Sequence, residues 1–188
     1  MRDDGSTAPD PLSIGHLNKY PFNQVLYNSP IMAASQHDLQ NYIGYTFHFP
    51  EILKEAQTRR AFHNENPERE EFMDPLATLG DAVLDTIVIF RLYNEGMRDK
   101  KELSRKKELA VKREKTRAFA KRHKLGQYIH WGKGEGADEI CKDSARALDT
   151  VTEALIGAVY LDAEKNGDNG MKVVRDMLER LRFFDPIS

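Results

Sequence analysis

From Leu76 to Tyr93 the chain is apolar at nearly every position, with Leu79, Val83, Leu84, Ile87, Val88 and Leu92 spread around a helix rather than along one stripe. A helix that is apolar on most sides has to be buried, so the rest of the fold must wrap around this segment. Asp74-Pro75 reads as an N-cap followed by a first-turn proline, and Gly96 as the stop. A second run of the same kind extends from about Ser144 to Leu161. Strand-like alternation is scarce, so other helices must cover these two. The expected fold is all-α.

The remaining elements fit that frame. Short helices are expected at 36–43 and 50–61, the second opened by Pro50, whose missing N–H costs nothing at a first helical position. An amphipathic helix from about Gly170 to Phe183 closes the chain. Residues 98–124 form one or two helices with Leu103, Leu109, Val111, Phe119 and Leu125 turned inward, and Gly132, Gly134 and Gly136 mark a loop. Residues 1–34 lack periodicity and read as a flexible leader or tag-like segment, 35–184 as one domain, and 185–188 as a tail. No stretch approaches the roughly 18 apolar residues of a membrane span. The polar start MRDDGSTAPDP is no signal peptide. A lone cysteine, Cys141, excludes an internal disulfide and a cysteine-based zinc site, which suits a reducing, cytoplasmic setting.

Net charge is −2, yet the average conceals an asymmetry. Between Arg98 and Lys124 there are thirteen Lys or Arg against four Asp or Glu, a local +9 that leaves −11 for the rest. Such a block is either a solvated helical face or a phosphate-binding surface beside an acidic body.

Both apolar helices carry carboxylates. Asp81 follows Gly80, and Glu153 precedes Ala154-Leu155-Ile156-Gly157, with Asp149 one helical turn before it. Carboxylates among apolar neighbours are costly unless paired or bound to a cation. Two readings stand: Asp81, Asp149 and Glu153 converge on an all-oxygen site suited to Mg²⁺ or Mn²⁺, or each caps a helix or pairs with an arginine such as Arg146. His63, His123 and His130 have no metal-ligand spacing and read as surface or packing residues. Tyr128, Trp131 and Tyr160 read as packing.

Four segments, in order, resemble the ribonuclease III catalytic domain. They are IGYTFHFPEILKEAQTRRAFHNE (43–65), LGDAVLD (79–85), HKLGQYIHWGKGE (123–135) and TEALIGAVYLD (152–162). The resemblance spans roughly residues 36–183. It implies a ribonuclease III domain-like helical fold that dimerises and lays duplex RNA along a valley across both subunits. It also implies Mg²⁺, with Mn²⁺ an alternative, held by four carboxylates, two on each signature helix. The metal activates water for attack on a phosphodiester.

Carried over position by position, the resemblance makes Asp81 and Glu153 catalytic residues and metal ligands. Two departures touch the metal: Ala77 stands where a ligating Glu is expected, and Thr150 where an Asp is expected. Two of four carboxylates are thus retained, and Asp149, one residue away, is the candidate substitute. Thr78 replaces a large apolar residue that inserts into the partner subunit. Lys112, Arg113, Lys115, Arg117, Lys121 and Lys133 lie in segments that the family uses near RNA. An accessory double-stranded-RNA-binding domain is not expected.

Three functions follow as expectations. The first is a metal-dependent endoribonuclease on double-stranded or structured RNA, weakened by Ala77 and Thr150. The second is a cleavage-deficient RNA-binding or ribonucleoprotein-scaffold protein. The third is a helical protein that binds a protein partner and has no RNA role.

Overall fold

A computed structural model describes residues 30–66, 68, 71–133, 135 and 147–185, with side chains from Gln36 onward. Cys141, Arg146, Gly134, Gly136, most of the expected leader and the last three tail residues lie outside the described residues. The helices are α1 (Pro30–Ile43), α2 (Pro50–Gln57), α3 (Arg60–Glu65), α4 (Asp74–Asn94), α5 (Lys100–Val111), α6 (Arg113–Arg122), α7 (Leu148–Lys165) and α8 (Gly170–Arg180), with a 3₁₀ turn at Leu125–Tyr128. No strand is present among the described residues, so the all-α expectation holds.

α7 is the axis of the fold and touches α2, α4, α6 and α8. Val151, Ala154, Leu155, Ile156, Ala158 and Val159 are all buried, so it is enclosed on nearly every side. Its longest partner is α4, and the two come together at glycines. An ideal Cβ on Gly80 would stand 1.8 Å from the carbonyl oxygen of Glu153, and one on Gly157 would stand 2.0 Å from that of Leu76. Only glycine allows backbones so close. Leu76, Val83, Leu84, Ile87 and Val88 of α4 then interlock with α7, with Phe119, Leu178 and Phe183 completing the core.

Several sequence expectations need correction. The first helix opens at Pro30, inside the expected leader. The expected 50–61 helix is two helices, because Thr58 and Arg59 are extended: Thr58 bridges His130, His130 N–H donates to Gln57 O, and Arg59 N–H to His130 O. Asp74 is the first residue of α4, not its N-cap, and its carboxylate accepts from Arg60 at 2.8 Å. Leu109, expected inward, is 52% exposed. α4 is not covered all round either. Its outer face exposes Ala82, Ile89, Phe90 and Tyr93, with Phe90 56% exposed. The Gly96 stop is confirmed, with φ +95°.

α2 lacks a local N-cap side chain, and α7 supplies one. Buried Asp162 accepts from the backbone N–H groups of His48 and Phe49 and from the Tyr45 hydroxyl, at 2.7 to 3.0 Å. A carboxylate at the positive end of a helix is favoured by the macrodipole. Burial first, and then Asp162, push the Tyr45 hydroxyl pKa up, so Tyr45 stays a donor.

Candidate active site

The Gly80–Gly157 contact sets α4 beside α7 at the residues that carry charge. Asp81 directly follows Gly80, and the Glu153 carbonyl faces Gly80. Asp81 is exposed, contrary to the buried setting expected of it, and Glu153 is half-buried. Asp149, one turn before Glu153, is buried at 6% exposure. Burial, then Asp81, then Asp149 raise the Glu153 pKa to about 7, while Arg113 opposes them. The three carboxylates therefore share one field.

They do not form a closed cage. Among the described residues no three His, Cys, Asp or Glu side chains are grouped so as to hold a metal. Asp149 instead faces Arg113, with 3.8 Å between Oδ2 and Nε, and its Oδ1 accepts from Thr150 N–H at 3.1 Å. The pairing alternative read from sequence thus holds for Asp149, with Arg113 as the partner. Ala77 is buried at the helix interface and offers no ligand.

A further acidic residue of α4, Asp85, one turn after Asp81, accepts from Lys107 Nζ at 2.7 Å. That hydrogen bond is the main reason the Lys107 pKa is raised, and the Asp81 charge adds to it. Cations from α5 and α6 therefore flank the carboxylates.

The expected RNA-binding residues divide. α6 begins where Lys112 breaks the helix with ψ 148°. Thr116, Phe119 and Ala120 face the core, leaving two polar edges. Arg113 and Arg117, one turn apart, share the edge beside Asp149, while Lys121 lines a cleft with Lys115, Arg122 and Phe183. Lys112, between α5 and α6, and Lys133, after the 3₁₀ turn, are both exposed. Lys115 lies on the opposite edge with Arg122. Its ammonium sits 5.3 Å from the Phe183 ring centre, and burial, then Arg122 and Arg91, lower its pKa.

The histidines and aromatics follow the packing reading. His63 stacks on Phe72, His130 on Phe62, and His123 on Phe119, with His123 Nδ1 2.6 Å from the Tyr42 hydroxyl. Tyr128, Trp131 and Tyr160 pack partly buried against the core. Sequence reasoning missed Asp162 and Arg113–Asp149. The first was visible as the acidic end of TEALIGAVYLD, whereas nothing local announced the second.

A helical fold with acidic residues on two glycine-apposed central helices defines a class: residues 50–181 match the Ribonuclease-III-like family, and the chain belongs to it. Its relatives include Ribonuclease 3 of Pseudomonas fluorescens, 36% identical over 151 residues, covering 77% of this chain and 58% of that protein. Ribonuclease 3 of Shewanella denitrificans is 37% identical over 126 residues, covering 66% and 53%. The chain thus spans a little over half the length of these ribonucleases. The nuclease domain of Ribonuclease III from Campylobacter jejuni superposes with a TM-score of 0.66 at 26% identity, covering 81% of this chain and 97% of that one. That nuclease domain has a region involved in dimer formation. No helix among the described residues is long and apolar enough to cross a membrane.

Proposed function

We propose that this chain is the nuclease domain of an endoribonuclease that hydrolyses double-stranded or structured RNA with a divalent cation, Mg²⁺ or Mn²⁺, and acts as a homodimer. The observation that supports this reading is the Gly80–Glu153 contact, which brings the residue before Asp81 against the backbone of Glu153, so that the Asp81 charge bears on the Glu153 carboxyl. Their donor set is all oxygen and fits a hard cation. With Ala77 and Thr150 at the other family positions, the fit is to Mg²⁺ held by two carboxylates, the remaining positions going to water and substrate phosphate, which is this ion's usual habit. When bound, the cation supplies Lewis-acid activation of water and offsets charge at the leaving oxygen.

The chain's own groups supply the rest. Asp81 and Glu153 orient the cation. Asp149, one turn before Glu153, adds its negative charge to theirs. Arg113, Arg117 and Lys121, with Lys112 and Lys133, meet the phosphates, and A-form duplex is read by shape and 2′-hydroxyls. Lys115 belongs to the opposite edge of α6 and contributes charge at longer range. A second copy covers the exposed Ala82, Ile89, Phe90 and Tyr93 on α4 and replaces the insertion that Thr78 lacks.

The test is incubation with labelled duplex RNA plus Mg²⁺, Mn²⁺ or chelator, alongside an Asp81→Asn, Glu153→Gln double variant. Metal-dependent cutting lost in the variant is expected. Binding without cutting, unchanged in the variant, would favour a scaffold that holds RNA without cleaving it. That second reading is favoured by Ala77 and by the engagement of Asp149 with Arg113.

A further inference from the structure

The chain leaves the helical course of α8 at Arg182, whose φ of 58° lies in the left-handed region. Phe183 N–H donates to Leu178 O and Arg182 N–H to Glu179 O, a helix-ending pattern whose left-handed position usually goes to glycine. Glycine would hold this turn without strain, but arginine adds a guanidinium that pairs with Asp185 at 2.8 Å. The Arg182 carbonyl accepts from Arg122 of α6 at 2.9 Å. The turn sends Phe183 into the core, its ring centre 5.1 Å from that of Phe119. Between α6 and this segment lies a cleft of about 280 Å³, lined by Lys115, Lys121, Arg122, Phe183 and Asp185.

Charge in the cleft is one-sided. Lys115, Lys121 and Arg122 form no ion pair among the described residues, and the Asp185 carboxylate of the lining is already balanced by Arg182. Lys115 is half-buried, with its ammonium 5.3 Å from the Phe183 ring centre. Burial, then the charges of Arg122 and Arg91, push its pKa down. The ammonium thus sits where cations crowd it and an anion would relieve it. Arg122 is exposed and tethered through one amino group to the Arg182 carbonyl, which leaves most of its guanidinium N–H groups for another partner.

We propose that this cleft is an anion site for a phosphate monoester, with Arg122 and Lys115 as its principal donors and Lys121 beside them. Its volume is below the roughly 300 to 1,000 Å³ of sites for drug-sized ligands, so it takes one small group rather than a length of backbone. A monoester carries about −1.5 to −2 charge at neutral pH, and a diester only a single charge, so cations gathered around one point favour the monoester. The planar fork of Arg122 suits two phosphate oxygens, while Lys115 supplies a half-buried point charge. The group is carried either by the end of an RNA strand or by a free nucleotide. The site is apart from Arg113 and Arg117 and uses no divalent cation, so it does not depend on the metal-dependent reading above.

The test is titration calorimetry on the full chain in chelator, with two ligand pairs. One pair is a short single-stranded RNA with a 5′-phosphate or a 5′-hydroxyl, and the other is adenosine 5′-monophosphate or adenosine. The phosphorylated member is expected to bind several-fold more tightly. A preference in the strand pair alone would assign the cleft to RNA ends, one in the nucleotide pair alone to free nucleotides, and one in both to the phosphate itself. Arg122→Gln and Lys115→Met are expected to lose the preference. Arg105→Ala, which removes an exposed cation of α5, is expected to keep it. No preference in either pair would overturn the site, and an equal loss in Arg105→Ala would reduce it to a general field and overturn it as well. Melting curves report whether each variant is folded, and if Lys115→Met is not, the exposed Arg122→Gln decides alone.

Discussion

Gly80 lies so close to the carbonyl of Glu153 that a Cβ there would stand 1.8 Å from the oxygen. The listener to this contact is the whole α4–α7 pair: the backbones must separate to admit even a methyl group, and every interlocked side chain along them loses contact. Gly80→Ala should therefore cost about 3 kcal/mol or more, at the upper end of overpacking penalties. Thermal unfolding would show this as a drop of many degrees. A melting temperature within a degree or so of the unaltered protein would contradict the close approach.

Asp162 should matter for stability and not for chemistry. It accepts from Tyr45, His48 and Phe49 with no exposed side-chain surface. Asp162→Asn replaces an acceptor oxygen by an amide that faces donors, and should cost about 3 kcal/mol. The urea midpoint should fall, while the folded fraction keeps its affinity for duplex RNA. A loss of RNA affinity without a loss of stability would give Asp162 a role that its contacts do not support.

The outer face of α4 offers a check on assembly. Phe90 and Tyr93 are 56% and 50% exposed, and Ile89 lies beside them. Phe90→Glu places a charge in the middle of this surface, where burial against a second copy would be costly. Sedimentation should show a dimer for the unaltered chain and a monomer for the variant, with melting of the monomer little changed. A variant that stays dimeric would move the subunit contact to another face.

Glu55 gives stability a pH dependence. Burial first, and then the charge and hydrogen bond of Glu71, raise its pKa to about 7, with Lys165 opposing. A carboxyl whose folded pKa lies above its unfolded value binds more protons when folded, so stability is greatest below the unfolded value and falls as pH rises towards 7. Glu55→Gln should flatten this slope between about pH 4.5 and 7. Its gain at neutral pH should be on the order of 1 kcal/mol, after allowance for the solvent that screens a half-buried group. Chemical denaturation at a series of pH values would measure both curves, and parallel slopes would count against the Glu55–Glu71 interaction.

Helix-forming signals were local and therefore legible. Pro50, Gly96 and the apolar run 76–93 act within one or two turns, and each opens, ends or forms the helix that its chemistry suggests. The break at Thr58–Arg59 was not legible, because its cause is His130, far away in the chain. Asp74 looked like an N-cap until Arg60 claimed its carboxylate. Leu109 fitted an inward position by period, but α5 has only one covered side to offer.

By itself the sequence determined the helical class, the two central helices, the family and the positions of Asp81, Asp149 and Glu153 along them, since periodicity, turn residues and motif order are properties of neighbouring residues. Tertiary structure alone decided that Asp149 faces Arg113, that Lys115 lies over the Phe183 ring, and that α4 keeps an uncovered face. The physical reason is rotation: a helix's period says which residues share a face, but only packing against other helices says what that face meets.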